Sequence, residues 1–333
     1  MNTKPIYALL LCILASCQSS RTTDIERVSV TPEIVVNDLE TPMPGQLQVT
    51  ENYLLWTDPF SSEFGVHLLE RETGKELSAV APIGNGPEEF LSPTVSTVSG
   101  DSFLTYDYNA NRFFLGSGDK STWEKLDWDI KHLVEVTRIT PLNKEQFVAF
   151  SPSQNPSFAL LDHEGKVLNR FGKAPIEEEV SNSFAAFQGG VTYHPIREIL
   201  VYSLFNFPYI ASYKKGKGVF ALQHEFKEGA NCHIVEGKLK YDRSKKGISE
   251  LALTKDYIVT LERDYQTDPM DESTVGRDFS KLPQTVFLYD YNLILKKIVH
   301  TGMPILRIAA TPLTNEVYAV GVNPDFAIVK FNL

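Results

Sequence analysis

The side chains best suited to chemistry lie in an acidic tract between Glu262 and Asp278. Carboxylate oxygens are the ligands that Ca²⁺ prefers in proteins. The candidate calcium ligands of this tract are Asp264, Asp268, Asp271 and Glu272. Three further residues of the tract are candidates for ligand recognition, namely Arg263, Tyr265 and Arg277. The tract interrupts a strand-rich segment, so a solvated surface insertion is the simpler interpretation, although loops on rigid scaffolds often carry binding sites.

The loop from Ile83 to Phe90, with the sequence IGNGPEEF, is a second candidate. Its glycines do not have phosphate-loop spacing, and no helical pattern follows them. We therefore predict a connection between two sheets, in which glycine permits a positive φ. The functional alternative is that this loop offers Glu88 or Glu89 to a ligand.

Asp107, Asn109 and Asn111 occupy alternate positions, as the first ligands of a calcium loop do. The glycine and the bidentate glutamate of an EF-hand do not follow at the required spacing. An Asx-turn between two strands, in which the side chains bond to local backbone, is the favoured interpretation.

No catalytic motif can be recognised in the sequence. The seven histidines are scattered, without the His-Glu-x-x-His spacing of a zinc site, and Gly-x-Ser-x-Gly does not occur. The sequence therefore favours a protein that is not an enzyme and that holds no cofactor.

The N-terminal segment has the features of a secretory signal. Lys4 precedes an apolar run, Ile6 to Leu14, that is too short to span a bilayer. The residues that follow, Ala15-Ser16-Cys17, complete a motif that resembles the bacterial lipobox, in which the cysteine is lipidated. We predict a signal peptide at 1–16, palmitate-type acylation of Cys17 and a polar tether at 17–26. An ordinary secretory signal is the alternative.

This motif places the protein in the cell envelope, anchored to a membrane by lipid. The outer membrane is the expected site, and the periplasmic and surface faces both stay open. The formal net charge of -10 and the lack of a basic stripe argue against nucleic acid as a partner. Cys232 has no predicted disulfide partner, and a monomer is expected.

The rest of the chain, 27–333, consists of recurring groups of short apolar strands separated by turns. Six such units are present, at 46–80, 94–126, 135–171, 187–222, 248–300 and 305–333. Their second strands recur at roughly 45 to 60 residues, in the range of β-propeller blades. A lone four-stranded sheet exposes an apolar face and must pack on neighbours. We therefore predict an all-β, six-bladed propeller, with a pair of β-sandwiches as the alternative.

The ring of blades needs a strand that closes it. The last unit is one strand short, because the chain ends directly after FAIVKFNL. The extended segment around Glu33 to Val36 can supply the missing strand. We predict closure by this N-terminal strand.

Two motifs carry a resemblance to a known family. IGNGPEEFLSP, at 83–93, resembles the Gly-x-Gly-Pro-Gly-Glu-Phe-x-x-Pro signature of TolB-like or NHL-like six-bladed propeller lipoproteins of Bacteroides-type bacteria. Glu88 stands where that family often has glycine. YDYNANRFFLG is similar to the strand–turn–strand step of NHL blades, with Asp107, Asn111 and Arg112 at the matching places. The resemblance implies the fold and the lipid anchor, and it adds Arg112 to the candidate ligand-binding residues.

Two functions follow from these observations. The first is a membrane-anchored propeller that binds a protein, peptide or glycan partner without catalysis. The second is a calcium-dependent hydrolase or lactonase with its site in the propeller channel. The residues lining such a channel depend on strand register, so the sequence does not identify them.

Overall fold

The computed structural model describes residues 25–227, 232–242, 245–269 and 278–333. The chain begins with two short strands, β1 (Glu26–Ser29) and β2 (Glu33–Val36). It continues into six blades, which follow one another along the sequence; five of them are four-stranded sheets, and one has five strands. The predicted six-bladed propeller is therefore confirmed.

The first three blades have no interruption within their sheets. Blade 1 consists of β3 (Leu47–Val49), β4 (Tyr53–Thr57), β5 (Phe64–Glu70) and β6 (Glu76–Pro82). Blade 2 consists of β7 (Thr94–Ser99), β8 (Ser102–Asp107), β9 (Arg112–Ser117) and β10 (Trp123–Lys125). Blade 3 consists of β11 (Arg138–Pro141), β12 (Gln146–Phe150), β13 (Phe158–Asp162) and β14 (Val167–Phe171).

A short helix, α1 (Ser183–Ala186), precedes blade 4, and an extra hairpin follows it. Blade 4 consists of β15 (Gly189–His194), β16 (Ile199–Leu204), β17 (Ile210–Lys215) and β18 (Phe220–Phe226). The hairpin is β19 (Cys232–Val235) and β20 (Lys238–Tyr241). Blade 5 consists of β21 (Glu250–Leu253), β22 (Ile258–Leu261), β23 (Thr285–Tyr289) and β24 (Leu295–His300), with a 3₁₀ turn at Phe279–Lys281. Blade 6 contains β25 (Ile305–Ala310), β26 (Glu316–Val322) and β27 (Phe326–Asn332).

The N-terminal strand β2 completes blade 6. It pairs antiparallel with β27, with Glu33 opposite Lys330 and Ile34 opposite Val329. The predicted closure by Glu33 to Val36 is thus what the structure shows. The preceding strand β1 adds in parallel to the outer strand of blade 5, which becomes five-stranded. The N-terminal segment therefore spans two neighbouring blades.

The core is divided among six hydrophobic clusters, one for each interface between neighbouring blades. Strand β4 shows how the sequence builds them. Leu54 and Trp56 point to the interface with blade 6, and the intervening Leu55 points to the interface with blade 2. Because both faces of a blade are covered, its central strands are continuous apolar runs and do not alternate with polar residues.

The predicted units agree with the observed blades. The second strands, expected near Tyr53, Ser102, Gln146, Glu198, Tyr257 and Glu316, begin within one residue of those positions. The hairpin of β19 and β20 and the separate strand β1 are not among the predicted units. Among the described residues, no helix combines the length and hydropathy needed to cross a membrane.

The packing of β2 at the closing interface can be tested at Gly74. This hairpin glycine has a φ of +68°, and a Cβ added to it would lie 2.4 Å from the Val35 carbonyl oxygen. Gly218 has a similar φ of +77° but open space around it. We expect Gly218→Ala to cost about 1 kcal/mol of backbone strain. Gly74→Ala should cost about 1–3 kcal/mol more, because the new methyl group is overpacked.

Urea unfolding of the two variants measures this difference in the free energy of unfolding. Equal losses for Gly74→Ala and Gly218→Ala would show that β2 does not pack on blade 1.

Candidate binding site in the central channel

The inner strands of the six blades run side by side around the central channel. Gln46 Oε1 accepts a hydrogen bond from Val95 N at 3.2 Å, which joins blades 1 and 2. Ser96 Oγ donates to the Ile139 carbonyl at 3.1 Å, which joins blades 2 and 3. Thr140 Oγ1 donates to the Val191 carbonyl at 3.3 Å, which joins blades 3 and 4. Arg138 Nε also bonds to the Gly189 carbonyl, so residues 138 and 140 of β11 lie beside residues 189 and 191 of β15, and these two inner strands run in the same direction. The other contacts join equivalent positions of the repeat, and the first residues of the inner strands lie at one end of the channel.

This end of the channel is its mouth. The connections that lead into each inner strand lie there, as do the loops between the second and third strands of each blade, because the strands are antiparallel. A cavity of about 460 Å³ opens within the channel, and all six inner strands line it. Its charged residues are Arg138, Glu250 and Arg307, close to the beginnings of β11, β21 and β25.

Arg307 and Glu250 form an ion pair across the interface of blades 5 and 6. Arg307 Nη1 donates to Glu250 Oε1 at 2.8 Å, and Arg307 Nε donates to the Gly45 carbonyl at 2.6 Å. The guanidinium thus joins three blades at once. About a quarter of each side chain, 24% for Arg307 and 25% for Glu250, is exposed to the channel.

Burial is the strongest influence on the Glu250 carboxyl. It raises the pKa of Glu250 above its ordinary value, and the opposing charges of Arg307 and Arg138 reduce this shift but do not cancel it. The charged form of Glu250 is therefore less stable than it would be in an ion pair exposed to water.

Arg138 has the weakest set of partners among the three charged residues. Its Nε donates to the Gly189 carbonyl at 3.4 Å, which is a long hydrogen bond. No carboxylate in the described part of the chain lies within ion-pair distance of its guanidinium. The mouth therefore holds two guanidinium groups and one carboxylate, and its local charge is positive in a protein whose net charge is -10.

The charges of the described lining residues favour an acceptor-rich ligand over a cation. Among the described lining residues Glu250 is the one carboxylate, and it is paired with Arg307. Across the same described ranges, no three side chains of the histidine, cysteine, aspartate and glutamate types come together as a metal site would require. The donor groups fit an acceptor-rich ligand.

The predicted candidate Glu89 binds its own loop. Its Oε2 accepts from Gly86 N at 2.7 Å, and a Cβ on Gly84 would lie only 2.0 Å from that oxygen. A side chain at position 84 would therefore have to displace the Glu89 carboxylate from this contact. Glu88, in contrast, is exposed to solvent.

Asp107 fastens the same loop to the next turn. Its Oδ2 accepts from Leu91 N and Ser92 N, both at 2.8 Å, and its Oδ1 accepts from Asn109 N at 2.9 Å. The predicted Asx-turn is what the structure shows. The candidate Arg112 lies opposite Asp107 in the ladder, and its Nη1 is buried with no hydrogen-bond partner among the described residues.

The candidates of the acidic tract bond mainly to one another's backbone. Asp268 accepts from Asp264 N at 2.9 Å and from Thr285 Oγ1 at 2.7 Å. Asp264 also pairs with Arg27 of β1. Burial by itself would raise the pKa of Asp264, but the hydrogen bond from Arg27 lowers it below its ordinary value.

The basic and aromatic candidates of the tract are also held locally. Arg263 donates to the carbonyls of Pro269 and Lys281, and the hydroxyl of the exposed Tyr265 accepts from Lys246 N at 2.8 Å. The remaining candidates, Asp271, Glu272 and Arg277, lie outside the described residues.

The structure does not bring the predicted candidates together. Glu88 and Glu89 belong to the loop that leads into blade 2, Arg112 begins β9 of that blade, and Arg263 and Tyr265 belong to blade 5, on the opposite side of the ring. None of these described residues lines the channel cavity. Their loops surround the mouth, but their side chains do not converge on it.

The sequence analysis did not single out the three charged residues of the mouth. A signal for them exists: each starts or nearly starts the first strand of its unit and stands among apolar residues, as in RITP, ELAL and RIAA. Alignment of these first strands places Arg138, Glu250 and Arg307 at one position of the repeat. A charge repeated at one position of the repeat indicates a shared environment.

Two other cavities lie off the axis. One of about 820 Å³ adjoins blade 6 and includes the carboxylates of Asp38, Glu40 and Asp325. Another, of about 330 Å³, adjoins the stacked rings of Trp56 and His67, where His67 Nδ1 lies 3.0 Å from Glu76 Oε1. Neither receives groups from all six blades, so the channel mouth is the main candidate site.

Comparison with known proteins identifies the architecture. The model of the TolB-like 6-blade propeller-like family matches residues 34–300. A DUF4221 family member from Bacteroides vulgatus, of known structure, is 11% identical, with 92% of this chain and 98% of that chain covered and a TM-score of 0.61. Regucalcin from Agrobacterium tumefaciens, a calcium-binding protein, is 10% identical, with 92% and 95% covered and a TM-score of 0.51.

A more distant likeness is the β-propeller domain of Cps50 (Swd1) from Myceliophteria thermophila, at 9% identity, 89% and 99% coverage and a TM-score of 0.50. At these identities the likenesses to solved structures show the fold alone. No curated protein matches this sequence.

The structural role of Glu89 leads to a direct prediction. Glu89→Ala removes the acceptor of Gly86 N and should cost about 1–3 kcal/mol, the usual range for a hydrogen bond to a charged group. The neighbouring Glu88→Ala is the matched control and should change stability by less than about 0.5 kcal/mol. Chemical denaturation of both variants provides the measurement. Equal stability of the two variants would contradict the role assigned to Glu89.

Proposed function

This chain belongs to the TolB-like six-bladed propeller family, and we propose that it is a membrane-tethered binding module that holds a ligand at the mouth of its central channel. The ligand is a soluble molecule or an extended part of an envelope protein, peptide or glycan. The module acts by binding, and no chemical step is assigned to it.

The observation that carries this proposal is the convergence of polar groups from all blades on one cavity. Gln46, Arg138, Glu250 and Arg307 come from four different blades and share one end of the channel. Concave sites with a few convergent polar groups are the usual place for ligand binding. The inner strands are fixed by packing on both faces, so these groups are held in position before a ligand arrives.

The calcium-dependent hydrolase alternative finds no comparable support. Such a site needs several oxygen side chains from separate blades around the axis. The described lining residues provide one carboxylate, and Arg307 already occupies it. The likeness to regucalcin, at 10% identity, shows the fold alone.

The lipid tether is the second part of the proposal. Cys17 lies outside the described residues, and the described chain starts at Ile25, next to β1. A tether of this position would hold the propeller by the outer edge of blade 5 and leave the channel free. Lipidation anchors a protein to one leaflet without a spanning segment.

Obstruction of the channel tests the binding site. Thr97 lines the cavity and is half-buried, so Thr97→Trp should fill the channel with an indole ring. Val219, which is 50% exposed between β17 and β18, provides the matched control Val219→Trp. We expect the wild type and Val219→Trp to retain the same envelope component from an extract of the native host, and Thr97→Trp to lose it.

Retention by Thr97→Trp at the wild-type level would show that the component binds elsewhere on the propeller. Thermal unfolding of both variants establishes that the tryptophan substitutions leave the fold intact.

The tether is tested by metabolic labelling with a fatty acid in the native host. Labelled palmitate should appear in the full chain and in Cys232→Ser, since Cys232 is a half-buried free thiol of β19. It should disappear in Cys17→Ser, with release of the protein from the membrane fraction. Label that persists in Cys17→Ser would contradict the proposed anchor.

A further inference from the structure

We propose that the ligand presents an anionic group, a carboxylate or a phosphate-type oxyanion, that binds to Arg138 and Arg307, and that Glu250 occupies this position when no ligand is bound. The inference rests on the proposed function and adds the chemical class of the ligand and an internal competitor for its site.

The first step of the argument is the charge of Arg138. A charge removed from water is costly unless a partner of opposite sign compensates it. Arg138 is half-buried in the channel, and its one hydrogen bond, to the Gly189 carbonyl, is 3.4 Å long. Arginine presents five donors in a planar fork that matches the oxygens of carboxylates and phosphates. Most of those donors are left for a ligand.

The second step concerns the charge balance of the mouth. Two guanidinium groups face one carboxylate, so the carboxylate cannot neutralise both. Glu250 is bonded to Arg307, and the charge of Arg138 also acts on it. An incoming anion would restore neutrality in a channel where a low dielectric strengthens every charge interaction.

The third step is that Glu250 is easily displaced as a partner of Arg307. Its carboxyl bonds to Arg307 by a single contact at 2.8 Å, whereas Arg307 is also anchored to the Gly45 carbonyl. Burial disfavours the charged form of Glu250 and raises its pKa. Arg307 therefore keeps its position without Glu250, and a ligand anion can take the place of the carboxylate.

Few titratable groups line the cavity, so the competition between Glu250 and a ligand anion for Arg307 can be assigned to one residue. They are Arg138 of β11, Tyr193 of β15, Glu250 of β21 and Arg307 of β25. Of these four, Glu250 is the group whose pKa burial raises above the ordinary glutamate value of 4.5. The cavity of about 460 Å³ is larger than one carboxylate, so the anion is expected to be the end of a longer molecule.

Isothermal titration calorimetry of the 25–333 chain at low ionic strength tests the inference, with glutarate as the carboxylate probe and inorganic sulfate as the tetrahedral oxyanion probe. Arg138→Gln should weaken binding of the preferred probe about tenfold or more, the loss expected for a charge-assisted hydrogen bond. Arg138→Lys should recover part of the affinity. Arg170→Gln, at an exposed position of β14, is the matched control and should bind as the wild type does.

The direction in which Glu250→Gln changes the affinity for the probe distinguishes competition from a structural role. It removes the competing charge and keeps the shape of the side chain, so binding should tighten about tenfold. A merely structural role for Glu250 predicts the opposite, because loss of the ion pair would loosen the mouth. Thermal unfolding of each variant separates changes in binding from changes in folding.

The pH dependence gives an independent readout with sulfate, which keeps its charge throughout the range. As the pH falls through the raised pKa of Glu250, its carboxyl becomes neutral and stops competing for Arg307. Sulfate affinity of the wild type should therefore rise as the pH falls toward 4.5, and that of Glu250→Gln should stay nearly constant.

The inference is overturned if neither probe binds the wild type, if Arg138→Gln binds as tightly as Arg170→Gln, or if Glu250→Gln weakens binding. If the inference fails but Thr97→Trp still loses the envelope component in the capture experiment, the channel remains a binding site, and its ligand is uncharged. Failure of that capture experiment as well would remove the proposed function itself. A preference for glutarate would indicate a carboxylate ligand, and a preference for sulfate would indicate a phosphate-type ligand.

Discussion

Mutual burial between neighbouring blades is the constraint on which the structure depends. No four-stranded sheet of this chain can cover its own two apolar faces, so each blade is stable only between two others. The six hydrophobic clusters correspond one to one with the six interfaces, including the interface between blades 6 and 1. The ring must therefore close, and β2 closes it by pairing with β27.

Closure also determines where the chemistry lies. With every blade held on both faces, the inner strands share one direction, and their first residues meet at one mouth. Arg138, Glu250 and Arg307 are separated by many residues in sequence and converge there because each occupies the same position in its repeat. The mouth is positive in an acidic protein because two of these three positions hold arginine. The packing of the blades thus determines which residues a ligand meets at the mouth.

The sequence predicted the fold well because the fold is encoded locally and repeatedly. Apolar runs such as SFLTYD, bounded by turn residues, located the strands, and their recurrence located the blades. The N-terminal strand was predicted because the last repeat lacked a partner. The site was predicted poorly because its residues are distributed over three repeats and depend on register. The candidates predicted from sequence lie instead in clusters of polar residues. Of these, Glu89 and Asp107 accept hydrogen bonds from backbone N–H groups and stabilise turns.

The hairpin of β19 and β20 and the parallel addition of β1 illustrate the same limit. Both are additions to the repeat, and nothing within the repeating pattern predicts them. The charged residues of the mouth could have been found by aligning the first strands of the units, since Arg138, Glu250 and Arg307 then fall at one position of the repeat. Such an alignment requires the strands of each blade to be known. The candidate site could therefore be identified only after the fold.

The central claim is that the channel mouth binds an anion in place of Glu250. A crystal structure of the 25–333 chain grown with glutarate tests this claim most directly. The account predicts a carboxylate group of glutarate bonded to Arg138 and Arg307, with the Glu250 side chain turned away from Arg307. An empty or water-filled mouth, with Glu250 still paired to Arg307 at saturating glutarate, would contradict it.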